Sequence, residues 1–154
     1  MRQFIKKYQG VTLIELIVTI SIIGILTAVT VPTVNHFLPG IQLNGSARVL
    51  SANLREAQEK TITEQKQYMI EFYPAASPAY YKLVRVDNSE EQKTVKLASG
   101  QTLSPVNTNV PPGPITQIVF STDGGATPNG KITLTINGVD KIVSVSPAGF
   151  IKIE

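Results

Sequence analysis

Between Lys7 and Arg48 the chain carries a single Asp, Glu, Lys or Arg, namely Glu15, set near the start of an apolar run that reaches Leu38. Residues 11–31 are 21 positions of mostly Val, Ile, Leu, Thr and Ala. As a helix rising ~1.5 Å per residue, such a stretch crosses a bilayer core of ~30 Å. Arg2, Lys6 and Lys7 crowd the residues in front of it. Positive charge before a first span resists translocation, so a single-pass, N-in and C-out topology is expected, with everything after Pro32 outside the membrane. An ordinary secretory signal has an apolar core of about 7 to 15 residues and a small-residue cleavage site. Here the core is longer and no Ala-x-Ala follows closely. Burying the Glu15 carboxylate costs on the order of 2.5 to 3.5 kcal/mol or more, so it either finds a cationic partner or snorkels to the interface of a simple anchor.

Gly10 followed by Val11-Thr-Leu-Ile-Glu15-Leu-Ile-Val resembles the processing site of type IV prepilins and type II secretion pseudopilins. The resemblance implies that a prepilin peptidase cuts between Gly10 and Val11 on the cytoplasmic side and methylates the new amine of Val11. Family members mostly carry Phe directly after the cut, where this chain has Val11. An α-amine has a pKa of roughly 7.7 to 8.0 and is mostly protonated at neutral pH, which makes it the expected partner of Glu15, on a neighbouring chain if the family pattern holds. In a bundle of parallel apolar helices that pair would set the axial step of each incoming subunit. The partners so implied are the peptidase, other pilin or pseudopilin subunits and an inner-membrane assembly platform. The expected location is the inner membrane, then a periplasmic or cell-surface filament.

Beyond the apolar run, Leu43, Ala47, Leu50, Leu54, Ala57 and Thr61 step by 4, 3, 4, 3 and 4, which predicts a helix over about 41–66 with one apolar seam turned to a core. Arg48, Arg55, Glu59 and Lys66 fall off the seam, and Glu56 sits four before Lys60 as a helical ion pair. Pro32, Pro39-Gly40 and Asn44-Gly45 can bend or interrupt the stalk. Gly24 and Pro32 match positions where the pilin family often has Gly and Pro. The resemblance implies melting of the helix between them in a packed filament, with an ordinary proline kink as the alternative.

From Gln67 the pattern changes to alternation. Tyr68 to Tyr73, Tyr80 to Val86, Thr94 to Ala98, Gln117 to Ser121, Lys131 to Asn137, Lys141 to Ser146 and Phe150 to Ile153 read as strands. Turn residues such as Asp123-Gly124-Gly125, Asn137-Gly138 and Pro147-Ala148-Gly149 separate them. The fold class is therefore α+β: a long N-terminal helix, transmembrane and then amphipathic, packed on a largely antiparallel β-sheet in a type IV pilin-like arrangement. Its expected segments are a leader over 1–10, a transmembrane or filament-core helix over 11–38, an amphipathic helix over 39–66 and a β-rich domain over 67–154. The Leu54-Arg-Glu-Ala-Gln helix end, the strand Ile118-Val-Phe-Ser followed by Asp-Gly-Gly, and the final Gly149-Phe-Ile-Lys-Ile make this half resemble GspH/FimT-like minor pseudopilins and pilins.

Composition narrows the function. The net charge is +3, but the leader supplies three of the 14 basic residues and none of the 11 acidic ones, so the remainder is balanced and is no nucleic-acid footprint. Some relatives bind DNA through basic residues in the C-terminal segment. This tail offers Lys152 alone, with Phe150 where a basic residue would be expected. DNA binding stands as an alternative resting on analogy. With no cysteine there is no disulfide-closed C-terminal loop of the kind many major pilins have, which favours a minor or pseudopilin role. The lone His36 and the absence of Cys give neither a His/Cys metal site nor a Cys nucleophile, so no enzyme activity and no cofactor is expected. Asp123 with Gly124, Gly125 and Asn129 suggests a calcium loop at first sight, but hard cations take about six to eight oxygens and the stretch reads better as a plain turn. Two hypotheses stand against each other, a structural filament subunit and a monomeric membrane-anchored β-domain that binds a ligand.

Overall fold

In the computed structural model the described residues are 10–107, 113, 114 and 116–154, with backbone alone at 32, 33, 35, 36, 107, 113 and 114. The leader cations Arg2, Lys6 and Lys7 and the side chains of Pro32 and His36 thus lie outside the described residues. The chain divides into two units, Met1–Leu38 and Pro39–Glu154. Helix α1, Leu13–Glu64, contributes to both.

In the second unit α1 carries the seam expected from its spacing. Leu43, Ala47, Leu50, Leu54, Ala57 and Thr61 are all buried at 1 % exposure or less, a line of side chains only a 3.6-residue period can produce. Arg48, Arg55, Glu59 and Lys66 are exposed, and Lys60 pairs with Glu56 at 3.5 Å. Gln65 ends the helix in a left-handed conformation, φ 54°. The Thr61 hydroxyl donates back to the Ala57 carbonyl at 2.8 Å and accepts the Tyr68 amide at 3.2 Å, which ties the start of the first strand to the helix.

Ten strands follow among the described residues: β1 Tyr68–Tyr73, β2 Tyr80–Arg85, β3 Glu90–Lys96, β4 Thr102–Asn107, β5 Gly113–Pro114, β6 Gln117–Phe120, β7 Ala126–Thr127, β8 Gly130–Ile136, β9 Val139–Val145 and β10 Ile151–Ile153. They form two five-stranded sheets, ordered β3-β2-β1-β6-β7 and β10-β9-β8-β4-β5, with antiparallel pairing throughout. Sequence patterning anticipates a largely antiparallel sheet whose outer face meets water or a second sheet, and the structure has two such sheets. Alternation does its expected work within them: Tyr68, Ile70 and Phe72 of β1 and Ile132, Leu134 and Ile136 of β8 are buried in one cluster with the helix seam. Asn137 and Gly138 close the β8–β9 hairpin with φ values of 50° and 77°, the left-handed pair a two-residue turn demands.

Three strands carry no readable pattern. β4 contains Pro105, which argues against a central strand; among the described residues β5 pairs with Val106 and Asn107, and Pro105 pairs with Ile132 of β8. β5 and β7 are two residues each, too short for periodicity. β3 begins four residues before the expected Thr94, because Glu90-Glu-Gln-Lys is solvated on both faces at a sheet edge, where charge deters pairing with other chains.

Candidate functional site

Gly10, Val11 and Thr12 precede the helix and are exposed. Thr12 caps it: its hydroxyl oxygen accepts the Glu15 amide at 3.3 Å, and its carbonyl accepts the first helical bond from Leu16 at 3.2 Å. Threonine followed three residues later by glutamate is the capping-box pattern, which the sequence reading passed over because the same residues carry the processing motif. The Gly10–Val11 peptide lies outside the hydrogen-bonded helix, and among the described residues no atom comes within 4 Å of where a Cβ on Gly10 would stand.

Glu15 sits exposed in the first turn, where a negative charge is favoured by the helix dipole. From there Leu13–Val31 is a 19-residue stretch of mean hydropathy 2.3 with none of it buried, long and apolar enough to cross a membrane. Its four hydroxyls are spent internally: Thr19, Ser21, Thr27 and Thr30 donate to the carbonyls of Leu16, Ile17, Ile23 and Leu26 at 2.7 to 2.8 Å. Such back-bonding lets Ser and Thr enter hydrocarbon without an outside partner. Glu15 is then the one charged side chain of the span. Gly24 is exposed with open space around it, and the backbone is helical from Gly24 through Pro32 in this isolated chain.

In the globular unit, polar contacts join the helix to both sheets. Asn53, 3 % exposed, donates to the Tyr81 phenol oxygen at 2.7 Å and accepts from the Lys93 ammonium at 2.7 Å. Burial pushes the Tyr81 phenol up to about 12, with the Asn53 hydrogen bond opposing the shift. On the other flank Arg55 reaches the Ile151 carbonyl at 3.4 Å, and Gln58 donates to the Gly124 carbonyl at 2.6 Å. Gly149 lies against that last bond: a Cβ there would stand 2.1 Å from the Gly124 oxygen and 2.2 Å from Gln58 Nε2, and its φ of 77° is one that side-chain-bearing residues rarely adopt. These contacts link residues 28 to 96 positions apart, so no local pattern announces them.

The Asp123 carboxylate accepts from the Ser121 hydroxyl and from the Gly125 amide, and these bonds hold it below the usual carboxylate range. It thus organises the β6–β7 turn. No group of three or more His, Cys, Asp or Glu suited to a metal occurs among the described residues.

Residues 5–31 match the family model of the prokaryotic N-terminal methylation motif, and residues 46–149 match that of the type II transport protein GspH. Among solved structures, the type IV minor pilin FimU of Pseudomonas aeruginosa superposes with a TM-score of 0.60 at 16 % identity, over 77 % of this chain and 92 % of that one. The minor pseudopilin EpsH of the Type 2 Secretion System of Vibrio cholerae superposes with a TM-score of 0.59 at 13 % identity, over 73 % of this chain and 96 % of that one. At those identities the likeness shows a shared fold. No curated protein matches the chain.

Proposed function

Because the chain belongs to the GspH family of type II transport proteins, we infer that it is a structural subunit of a type IV pilus or type II secretion pseudopilus, in a minor role. The observation that carries this reading is the join of two features in one chain. A methylation-motif N-terminus presents Gly10–Val11 as accessible backbone ahead of a span whose one charge is Glu15, and the sequence continues into the family's globular domain. Prepilin peptidase cuts between Gly10 and Val11, and Val11 is methylated. The span holds the product in the cytoplasmic membrane, N-in and C-out, until an assembly platform draws it into a filament.

Glu15 then meets the α-amine of Val11 on a neighbouring subunit and sets the stagger between them. Gly24 and Pro32 bound the stretch that unwinds on packing. We read no catalytic role into a family of structural subunits. Lys82, Arg85, Lys93 and Lys131 of the globular unit each lie within 3.3 Å of a carboxylate, so these cations face partners in their own chain and do not form the tract that counterion release from DNA requires.

The decisive experiment places Glu15→Val beside the native chain in assembling cells. Both should be processed and inserted, and the variant should be lost from filaments sheared off the surface or from cross-linked pseudopili. Equal incorporation of the variant would return the chain to the simple-anchor hypothesis.

A further inference from the structure

The outward face of the β3-β2-β1-β6-β7 sheet carries an aromatic pair beside an open cleft. Side chains alternate along β1, so Phe72, 3 % exposed, points into the core while Glu71 and Tyr73 point away from it. Tyr73 stands opposite Tyr80 of β2, and Glu71 stands opposite Gln117 of β6. All four therefore share one face. The two tyrosine rings stack with centroids 4.5 Å apart and planes inclined by 13°, and the Tyr73 hydroxyl donates to the Glu71 carboxylate at 2.9 Å. A ring that is 37 % exposed is thus held in one orientation by two contacts.

Cross-strand aromatic pairs often serve the stability of a sheet alone. Here a cavity of about 330 Å³ adjoins the ring, lined by Glu71, Tyr73, Pro74, Ala75, Thr116 and Gln117 among others, with Tyr80 outside its wall. β1 runs between β2 and β6, so the cavity lies on the β6 side of Tyr73, away from the stacking partner. One face of the ring is braced and the other is turned to the cleft. The volume falls at the low end of the ~300 to 1,000 Å³ typical of ligand pockets.

Both walls are ordered by the backbone. The Ala76 amide donates to the Tyr73 carbonyl at 3.4 Å, closing the Pro74-Ala75 turn, and the Phe72 amide donates to the Thr116 carbonyl at 2.7 Å. A site held in this way loses little freedom when a ligand enters.

The chemistry of the wall restricts that ligand. Glu71 is the sole charged side chain among its described residues. A phosphate, a carboxylate or a nucleic-acid strand would meet this negative charge with no cation in the wall to offset it. A purely aliphatic ligand would strip water from Glu71 and return nothing. An organic cation would suit the carboxylate and the ring, but Lys82 already stands 5.8 Å from the Tyr73 centroid, and Gln117 and Thr116 would be idle. Beyond the Tyr73 bond, Glu71 has no other hydrogen bond or ion pair among the described residues, and Gln117 and Thr116 are exposed. An acceptor-only carboxylate, an amide and a hydroxyl thus surround one flat ring face. A pyranose answers all of them, since its C–H face lies on an aromatic ring while the hydroxyls along its edge both donate and accept. Pro74 and Ala75, exposed beside the ring, add an apolar wall that suits the methyl of an acetamido group.

We propose that the Tyr73 cleft binds a neutral sugar ring, an N-acetylhexosamine unit of a glycan, with Tyr73 as the stacking platform and Glu71 and Gln117 as the hydrogen-bonding pair. A soluble oligosaccharide and an insoluble polymer present the same ring. The site lies on the globular unit, far in sequence from the processing motif, and its occupancy does not require assembly.

Full-length protein in a polyoxyethylene detergent, which carries neither sugar nor charge, should bind the N-acetylglucosamine trimer in a saturation-transfer NMR titration, with the strongest transfer to ring C–H protons. Tyr73→Ala should weaken binding at least tenfold and Gln117→Ala at least threefold, at unchanged urea midpoints, while Val49→Ala on the helix leaves it unchanged. Cellotriose, which lacks the acetamido group, should bind at least threefold more weakly, and neither trigalacturonate nor choline should compete. No binding of the trimer, equal affinity for cellotriose, competition by either charged probe, or a titration indifferent to both Tyr73→Ala and Gln117→Ala overturns the proposal. Cosedimentation with insoluble chitin that Tyr73→Ala abolishes supports the site on a polymer, and trimer binding without cosedimentation supports it for soluble glycans. Glu15→Val should bind the trimer as the native chain does, so the sugar site and the filament reading fail separately.

Discussion

The side-chain amide of Gln58 donates a 2.6 Å hydrogen bond to the carbonyl of Gly124 across a gap that only a glycine at position 149 leaves open. One helical residue thereby pins the β6–β7 turn and the β9–β10 turn together. The Asp-Gly-Gly and Gly-Phe-Ile stretches, far apart in sequence, are two sides of one clamp.

Gly149→Ala should therefore be among the most damaging single changes in the globular unit. It sets a methyl group against a backbone carbonyl and imposes a disfavoured φ, for about 3 kcal/mol or more. Gln58→Leu should cost about 1 to 3 kcal/mol, because the Gly124 carbonyl loses its donor. Urea midpoints of the detergent-solubilised full chain should rank the native protein first, Gln58→Leu next and Gly149→Ala last. A reversed order of the two variants would break the clamp argument.

Leu50 lies in the middle of the buried seam at 0 % exposure, against side chains of both sheets. Leu50→Ala should destabilise by about 2 to 5 kcal/mol, whereas Val49→Ala, one residue away and half-exposed, should stay within about 1 kcal/mol. Similar losses for the two, measured in the same denaturation series, would contradict the seam.

Alkaline pH should weaken the fold through Tyr81. Its phenol is raised from 10.0 to about 12 by burial, so the folded protein holds that proton more tightly than the unfolded chain does. The sign follows from linkage: the contribution is whole below about pH 10 and is lost as pH rises from there towards about 12. Denaturation midpoints should fall across that window, and Tyr81→Phe should remove the largest part of the slope. The same variant leaves Asn53 without its acceptor, at a cost of about 1 to 3 kcal/mol at neutral pH. An undiminished slope in Tyr81→Phe would count against this assignment.

Intact mass of the native protein purified from assembled filaments should begin at Val11 with one added methyl group. Recovery of chains that begin at Met1 would falsify the processing step.

The Gly24–Pro32 stretch should be helical in the free subunit and unwound in the filament. Backbone density in an assembled fibre, or faster amide exchange there than in the detergent-solubilised subunit, would show it. Pro32→Ala with Gly24→Ala should favour the helical state and lower filament yield several-fold; a continuous helix in the native fibre would refute the melting.

Local physics made the helix seam, most of the longer strands and the Asn137-Gly138 hairpin readable, since each rests on a period or turn chemistry confined to a few residues. The assignment of strands to the two sheets was not readable. β1 pairs with β6 across the intervening β2 to β5, and β4 pairs with β8, choices made by shape in three dimensions. Solvated β3 and the very short β5 and β7 have no alternation to detect. Gly10, Val11 and Glu15 stood out because motif and charge coincide. Gln58, Asn53 and Gln101 are polar helix and loop residues whose meaning lies wholly in distant partners.

The six seam residues from Leu43 to Thr61 lie on one line parallel to their helix axis, sunk in the core of their unit. Tension drawn along that axis cannot peel them out singly, as it could unzip a hairpin; they must slip in concert, like a row of rivets loaded together. Grip then accumulates with each added position, and a thread made of such parts can resist breakage without a covalent staple.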